Sequence, residues 1–232
     1  MASNSKILEE AEWKIEQFDL NGLHYNLVAD QVYRKRFKEK VDPFGKEYLR
    51  HIVAGLVAFD MAKLMGKRPY DTESKFFASR LEAKIFSLKP LLEALMNLSL
   101  TRINLKTQKS GIMKAFEYLS ADGEGALHQN KNKHFYVGAT KILHFLNPIL
   151  FIIIDSNASR AYKLAHGVNF VKATQPGFSA EKYIQCMECA RNDIVCYGPK
   201  RFQKLDANIP ITTIYDKLTF VTGGGINQSA RL

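Results

Sequence analysis

The sequence predicts an all-α protein, and three observations support this fold class. Apolar residues recur every three or four positions along most of the 232-residue chain, which is typical of amphipathic helices. Glycine, proline and capping residues divide these stretches into lengths typical of helices. Hydrophobic residues make up 46% of the chain and charged residues 24%. This is a globular balance, which excludes disorder, collagen and a disulfide scaffold for the whole chain.

Six helices are predicted in the first half of the chain. They cover residues 6–19, 21–40, 47–65, 74–87, 90–98 and 112–119. Gly66 would end the third helix, and Pro90 would occupy the first turn of the fifth. The polar, basic stretch 101–111 and the stretch 121–133, rich in Gly and Asn, are predicted to be loops.

Three further helices are predicted at residues 138–146, 156–165 and 179–195. The second would end at Gly167, and Gly198 with Pro199 would break the third. A short extended piece with a helical turn is predicted at residues 208–221. Residues 223–232 are predicted to be a flexible tail. With no internal repeat or long linker, we expect one all-helical domain, 1–232, which could form two lobes around a cleft.

The charge of the chain indicates a polyanionic partner. Lys and Arg number 33 against 23 Asp and Glu, a formal net charge of +10. Excess positive charge favours contact with nucleic acid, although a solvated basic surface would give the same composition.

Neither a membrane nor a bound group is predicted. The longest apolar run, 142–154, is interrupted by polar residues and is shorter than the roughly 18 apolar residues that a span needs. The N-terminus carries early acids and no apolar segment typical of a secretory signal. Three cysteines suit a reducing compartment, so we expect a cytoplasmic protein.

Cys186, Cys189 and Cys196 are predicted to be thiols without a ligand, since a zinc site would need a fourth ligand such as His166. We therefore predict no cofactor and no metal. His144 lies in an apolar helix and is predicted to be a hydrogen-bonded core residue.

A basic segment around Gly138 is a candidate phosphate-binding site. Residues 128–141 contain no acid and include Lys131, Lys133 and Lys141. Glycine allows close approach of the backbone, and lysines neutralise phosphates without reading sequence.

Asp155 is the only carboxylate between Glu124 and Glu181, and it follows three isoleucines. One interpretation makes it the N-cap of the next helix, where a side-chain oxygen accepts from free N–H groups. The other makes it a catalytic carboxylate at the edge of a buried run. The two roles can coexist.

Val137-Gly138 and the stretch 155–161 together resemble the helix-hairpin-helix DNA glycosylase superfamily, which contains endonuclease III and 8-oxoguanine glycosylases. In that family a Leu-Pro-Gly-Val-Gly-x-Lys hairpin grips DNA, and a Pro-Val-Asp-Thr-His-Val-x-Arg-Val stretch carries the catalytic Asp. The resemblance implies an all-α fold with such a hairpin, Asp155 as the catalytic residue and Lys141 as the candidate for Schiff-base chemistry. It also implies that DNA-binding residues lie in and around the hairpin: Tyr136, Val137, Gly138, Thr140, Lys131, Lys133 and Arg160.

Several positions depart from the family pattern. Tyr136 stands where the first hairpin glycine belongs, Thr140 where the catalytic lysine is found, and Asn157 where histidine is common.

The function implied is a DNA-binding base-excision glycosylase, with or without lyase activity, that cleaves the N-glycosidic bond of a damaged or mispaired base. The alternative is a non-catalytic nucleic-acid-binding or interaction protein with the same hairpin and basic surface. A third interpretation is a helical protein of a defence or mobile-element system, in which residues 155–157 are purely structural.

Overall fold

A computed structural model shows that the chain folds into helices. It describes residues 5–21, 23–57, 72–121, 126–127, 135–168 and 179–226. Ten α-helices hold most of these residues, and no β-strand occurs among them, which confirms the all-α prediction. In chain order the helices are α1 (Ala11–Asn21), α2 (Leu23–Tyr33), α3 (Lys46–Leu56), α4 (Thr72–Leu95), α5 (Leu105–Ser120), α6 (Tyr136–Leu146), α7 (Ser156–His166), α8 (Ala180–Tyr197), α9 (Pro199–Leu205) and α10 (Ile211–Thr222). A π-helical turn, Arg34–Lys38, extends α2.

Helix α6 lies at the centre of the fold. Nine consecutive residues of this helix, 138–146, are buried, so no face of that stretch meets water. A helix that is apolar on all sides is one that other elements surround, and α3 and α5 pack against it. Side chains from all ten helices join one hydrophobic core.

Helix α10 corrects the prediction of a short extended piece at residues 208–221. It has 12 residues, nine of them buried, and it packs against α1, α7, α8 and α9. Its isoleucines and threonines favour strands because they are branched at Cβ. Burial among four other helices outweighs that local preference, since most helical stability in proteins comes from packing.

The predicted break at Pro90 is also wrong, and the predicted loop at 101–111 is confirmed only for residues 101–104. Helix α4 continues through Pro90. The carbonyl that loses its partner there is that of Phe86, a residue 77% exposed, so water can hydrate it. Helix α5 begins inside the predicted loop because Asn104 caps it, accepting a hydrogen bond from the Lys106 N–H at 3.1 Å.

Two predicted segments extend beyond the described residues. The helix predicted at 47–65 is present as α3, but residues 58–71 lie outside the described part of the chain. The predicted tail begins with a turn at residues 223–226, and residues 227–232 are not described. Gly223 packs so closely on the Asn157 backbone of α7 that a Cβ atom would overlap it.

Candidate functional site

The segment that leads from α6 to Asp155 is buried but has no regular secondary structure. Residues 150–154 are each at most 6% exposed, although they form neither helix nor strand. Buried N–H and C=O groups need hydrogen-bond partners, and a segment without regular structure must find them elsewhere.

Side chains of three helices supply these partners, each binding one main-chain group of the segment. The pairs are Thr140 Oγ1 accepting from Ile154 N (3.2 Å), Asp216 Oδ1 accepting from Ile153 N (3.1 Å), Tyr183 Oη donating to the Ile152 carbonyl (3.0 Å) and His144 Nδ1 donating to the Phe151 carbonyl (2.7 Å). These bonds explain why polar side chains of α6, α8 and α10 lie in an apolar core.

Asp155 is the N-cap of α7, as one interpretation of the sequence predicts. Its Oδ1 accepts hydrogen bonds from the N–H groups of Asn157 (2.9 Å) and Ala158 (2.8 Å). The helix ends at Gly167 with a φ of 66°, a left-handed conformation that glycine adopts readily. The Asp155 side chain is half-buried, and its Oδ2 makes no hydrogen bond to a described residue. One carboxylate oxygen therefore holds the helix, and the other can meet a ligand.

The structure brings Asp155 beside the start of α6. Thr140 accepts from the N–H of Ile154, the residue before Asp155, and also donates to the Val137 carbonyl at 2.9 Å. The two segments that carry the resemblance to glycosylases thus lie next to each other. Residues 136–140 are the first turns of a helix, and residues 128–134 before them are not described, so the hairpin stays a prediction.

Two of the four predicted DNA-binding residues of α6 are covered by protein. Gly138 and Thr140 are buried, and Val137 is partly exposed. Tyr136 is also partly exposed, and its ring stacks on Phe116 at a centroid distance of 6.0 Å. Only the outer edge of this turn can therefore meet a ligand directly.

Gly138 is required by packing against Phe135. A Cβ atom at Gly138 would overlap the Phe135 ring, which is itself buried. We expect Gly138→Ala to lower the free energy of unfolding by about 1–3 kcal/mol, the usual range for overpacking. In a helix without that ring, replacing glycine with alanine would instead raise the free energy of unfolding by roughly 0.5–1 kcal/mol.

Urea denaturation of Gly138→Ala, Phe135→Ala and the double variant tests this. If the glycine serves packing, the double variant is more stable than the sum of the single effects predicts, by about 1 kcal/mol or more. Additive effects would contradict this role.

Of the three predicted lysines, the structure describes only Lys141. Lys141 is only 6% exposed, so nearly all of this residue is covered by protein. Lys131 and Lys133 lie outside the described residues.

Arg160 is an exposed residue held at the end of α10. Its Nε donates to the Gly223 carbonyl at 2.6 Å, and its Nη2 also donates to Asn157 Oδ1. A cation beside the last carbonyl groups of a helix is favoured by the helix dipole. Arg160 therefore links α7 to α10, and part of its guanidinium still faces solvent.

A second carboxylate, Asp216, lies close to this site and was not predicted. It is 7% exposed, and its Oδ2 lies 3.4 Å from His144 Nδ1 with no hydrogen bond to a described residue. Burial raises the pKa of Asp216 well above the ordinary value; the Ile153 hydrogen bond opposes this and the Asp155 charge adds to it. No local sequence pattern around Asp216 indicates that it lies near Asp155. Only the packing of α10 in the fold brings the two residues together.

His144 is a buried core residue, as predicted. Burial lowers the pKa of His144 to about 4, partly opposed by the hydrogen bond to the Phe151 carbonyl. Its Nε2 accepts from Tyr33 Oη at 2.8 Å. Both ring nitrogens of the neutral form are thus satisfied.

A separate buried carboxylate, Asp193 of α8, connects four parts of the chain. Its Oδ2 accepts from Ser5 Oγ (2.9 Å), Tyr215 Oη (2.8 Å) and His166 Nε2 (3.0 Å). Asp193 follows Cys186 and Ala190 at helical spacing on the buried face of α8, so the sequence did carry a signal for a buried acid.

The cysteines do not form a metal site with the described residues. Cys186 is buried, Cys189 is partly buried and Cys196 is exposed. The one histidine considered with them, His166, binds Asp193. Among the described residues, no group of three or more His, Cys, Asp or Glu side chains is arranged to hold a metal ion.

Comparison with known proteins gives no relative for this chain. No protein-family model matches it, and neither curated proteins nor solved structures contain a match. Within the described residues, no helix combines the length and apolar character needed to cross a bilayer.

Proposed function

We propose that this protein binds DNA and cleaves the N-glycosidic bond of a damaged or mispaired base, in the manner of helix-hairpin-helix glycosylases. The observation that carries the proposal is the position of Asp155. It stands half-exposed at the start of α7, one residue after the Ile154 N–H that binds Thr140 of α6. The formal charge of +10 favours the DNA partner.

Asp155 acts on the sugar in this proposal. Its Oδ1 is fixed by two N–H groups of α7, so the orientation of the carboxylate is set before substrate binds. Its Oδ2 would face the sugar of a flipped nucleotide and stabilise the positive charge that develops as the bond to the base breaks. The predicted cleft between two lobes would hold the flipped base.

Lys141 has no role in the proposed reaction. A Schiff base requires the amine to reach the sugar carbon, and Lys141 is only 6% exposed. We therefore propose hydrolysis without a lyase step.

The test compares wild type with Asp155→Asn on duplexes that carry different lesions, followed by heat or alkali to reveal abasic sites. Asparagine caps helices as well as aspartate does, so this substitution removes the charge and keeps α7. We expect base release by wild type and a loss of about 100-fold or more in the variant. The same thermal unfolding midpoint in both proteins is the control, and base release that Asp155→Asn leaves unchanged would contradict the proposal.

A second candidate function is non-catalytic nucleic-acid binding. The hydrogen bonds of the site residues favour it, because they also stabilise the fold. Asp155 caps α7, and Thr140 accepts a hydrogen bond from the Ile154 N–H. This function predicts salt-dependent DNA binding that survives Asp155→Asn, with no base released by either protein.

A further inference from the structure

A basic groove lies between the N-terminal half of α5 and helix α8, and none of the described residues that the glycosylase resemblance singles out lines it. It encloses about 540 Å³, and the charged residues that line it are Arg102, Lys106, Glu188 and Arg191. A second depression of about 620 Å³ continues along α5 and is lined by Lys106, Lys109, Lys114 and Glu117. Lys106 belongs to both, so the two form one surface with five cationic and two acidic side chains.

The cations of this surface form no close ion pairs with carboxylates. In the described part of the chain, none of the five lies within 4.0 Å of an Asp or Glu oxygen, although backbone and side-chain hydrogen bonds, and also the charge of Lys109, lower the pKa of Glu181. The basic run after α2 differs, because Lys35 pairs with both Glu39 (2.7 Å) and Glu47 (3.2 Å). Cations without a close ion pair on one face are available to an anionic partner.

The start of α5 favours an anion in this groove. The first turn of α5 contains no acid and carries Lys106, so a cation stands at the positive end of the helix dipole, where a negative charge is favoured. Arg191 of α8 is partly exposed and lines the same groove from the other side. A phosphate between them would meet a lysine and a guanidinium group, whose N–H groups match phosphate geometry.

We propose that this groove binds the phosphodiester backbone of the nucleic acid, an inference that rests on the proposed DNA binding. Lys106 and Lys114 are eight residues apart on one helix, about 12 Å at 1.5 Å per residue. That length corresponds to the rise of three or four base pairs along the duplex axis, at about 3.4 Å each. The groove has no large exposed apolar side chain of the kind that anchors a helix in a lipid surface, which favours nucleic acid over a membrane.

The experiment measures how the affinity for a fluorescein-labelled duplex depends on salt. The groove variant is Lys106→Gln with Arg191→Gln, and the matched control is Lys200→Gln with Lys204→Gln, two exposed lysines of α9. Both doubles remove the same charge. We expect the groove variant to bind at least about tenfold more weakly at 0.1 M salt and its log–log salt slope to fall by about 1.5–2, with the control within about 0.5 of wild type.

The outcomes separate this inference from the proposed reaction. Groove-dependent binding without base release supports the groove and overturns the glycosylase function. Base release by wild type, together with DNA binding that is unchanged in the groove variant, supports the glycosylase function and overturns the groove. Equal weakening by both doubles overturns the groove as a specific site, and so does binding to anionic lipid vesicles without binding to the duplex.

Discussion

Replacing Asp193 with alanine is expected to lower the free energy of unfolding by about 3–5 kcal/mol, the range for removing one partner from a buried, charged hydrogen-bond network. One oxygen of this carboxylate accepts from Ser5, Tyr215 and His166, which belong to the N-terminal segment, α10 and α7. Alanine would leave the Ser5 and Tyr215 hydroxyls without this acceptor in the core, whereas His166 is partly exposed.

The control for this prediction is Glu188→Ala, an exposed acid on the same helix, which should change stability by no more than about 0.5 kcal/mol. Asp193→Asn keeps an acceptor of the same size and should fall between the two. Urea denaturation at pH 7 measures all three. Equal stability of the Asp193→Ala and Glu188→Ala proteins would show that the network does not stabilise the fold.

The same carboxylate adds a pH dependence. Burial alone would raise the pKa of Asp193, but hydrogen bonds from His166, Tyr215 and Ser5 outweigh it and hold that pKa below the ordinary value. A lowered carboxyl pKa means that the unfolded chain takes up the proton first as pH falls. The stabilisation by Asp193 is therefore complete above pH about 4 and is lost as pH falls towards the lower folded pKa.

The sequence predicts those parts of the fold whose signal is local. The helices at α6, α7 and α8 are visible as apolar periodicity with recognisable ends, and Asp155 is recognisable as a cap because it precedes such a stretch. Helix α10 was not recognised because its β-branched residues favour strands locally, and only burial among other helices makes it helical.

The site could be predicted only in part for the same reason. Asp155 and Gly138 stand out in a stretch with few acids, but the contact between Thr140 and Ile154 depends on how α6 turns back on the segment that leads to Asp155. Gly138 illustrates the limit: the sequence suggests space for a phosphate, whereas the structure fills that space with the Phe135 ring. Asp216 comes from a distant part of the chain, and no spacing rule connects it with Asp155.

Asp216 and His144 are expected to give pH dependences of opposite sign when one of them is replaced. In the folded protein burial lowers the pKa of His144 to about 4 and raises the pKa of Asp216. Because the histidine pKa is lowered, the unfolded chain takes up that proton first as pH falls below about 6.5, which destabilises the fold towards acid. Because the carboxyl pKa is raised, the folded chain keeps that proton as pH rises above about 4, which destabilises the fold towards neutral pH. In the wild type these two contributions oppose each other.

Asp216→Asn leaves His144 to titrate alone. Because the folded pKa of His144 is lowered, the unfolded chain binds the extra proton, so this variant should lose about 3 kcal/mol of stability as pH falls from 6.5 to 4. His144→Gln leaves only the raised pKa of Asp216, so its stability should fall as pH rises above about 4. Tyr48→Phe, which removes a buried tyrosine hydrogen bond to the Phe145 carbonyl and touches neither titrating group, is the control and should be displaced by a constant amount between pH 4 and 6.5. Urea denaturation across that range measures all four proteins, and slopes of the same sign for the first two variants would show that the proton does not reside on Asp216.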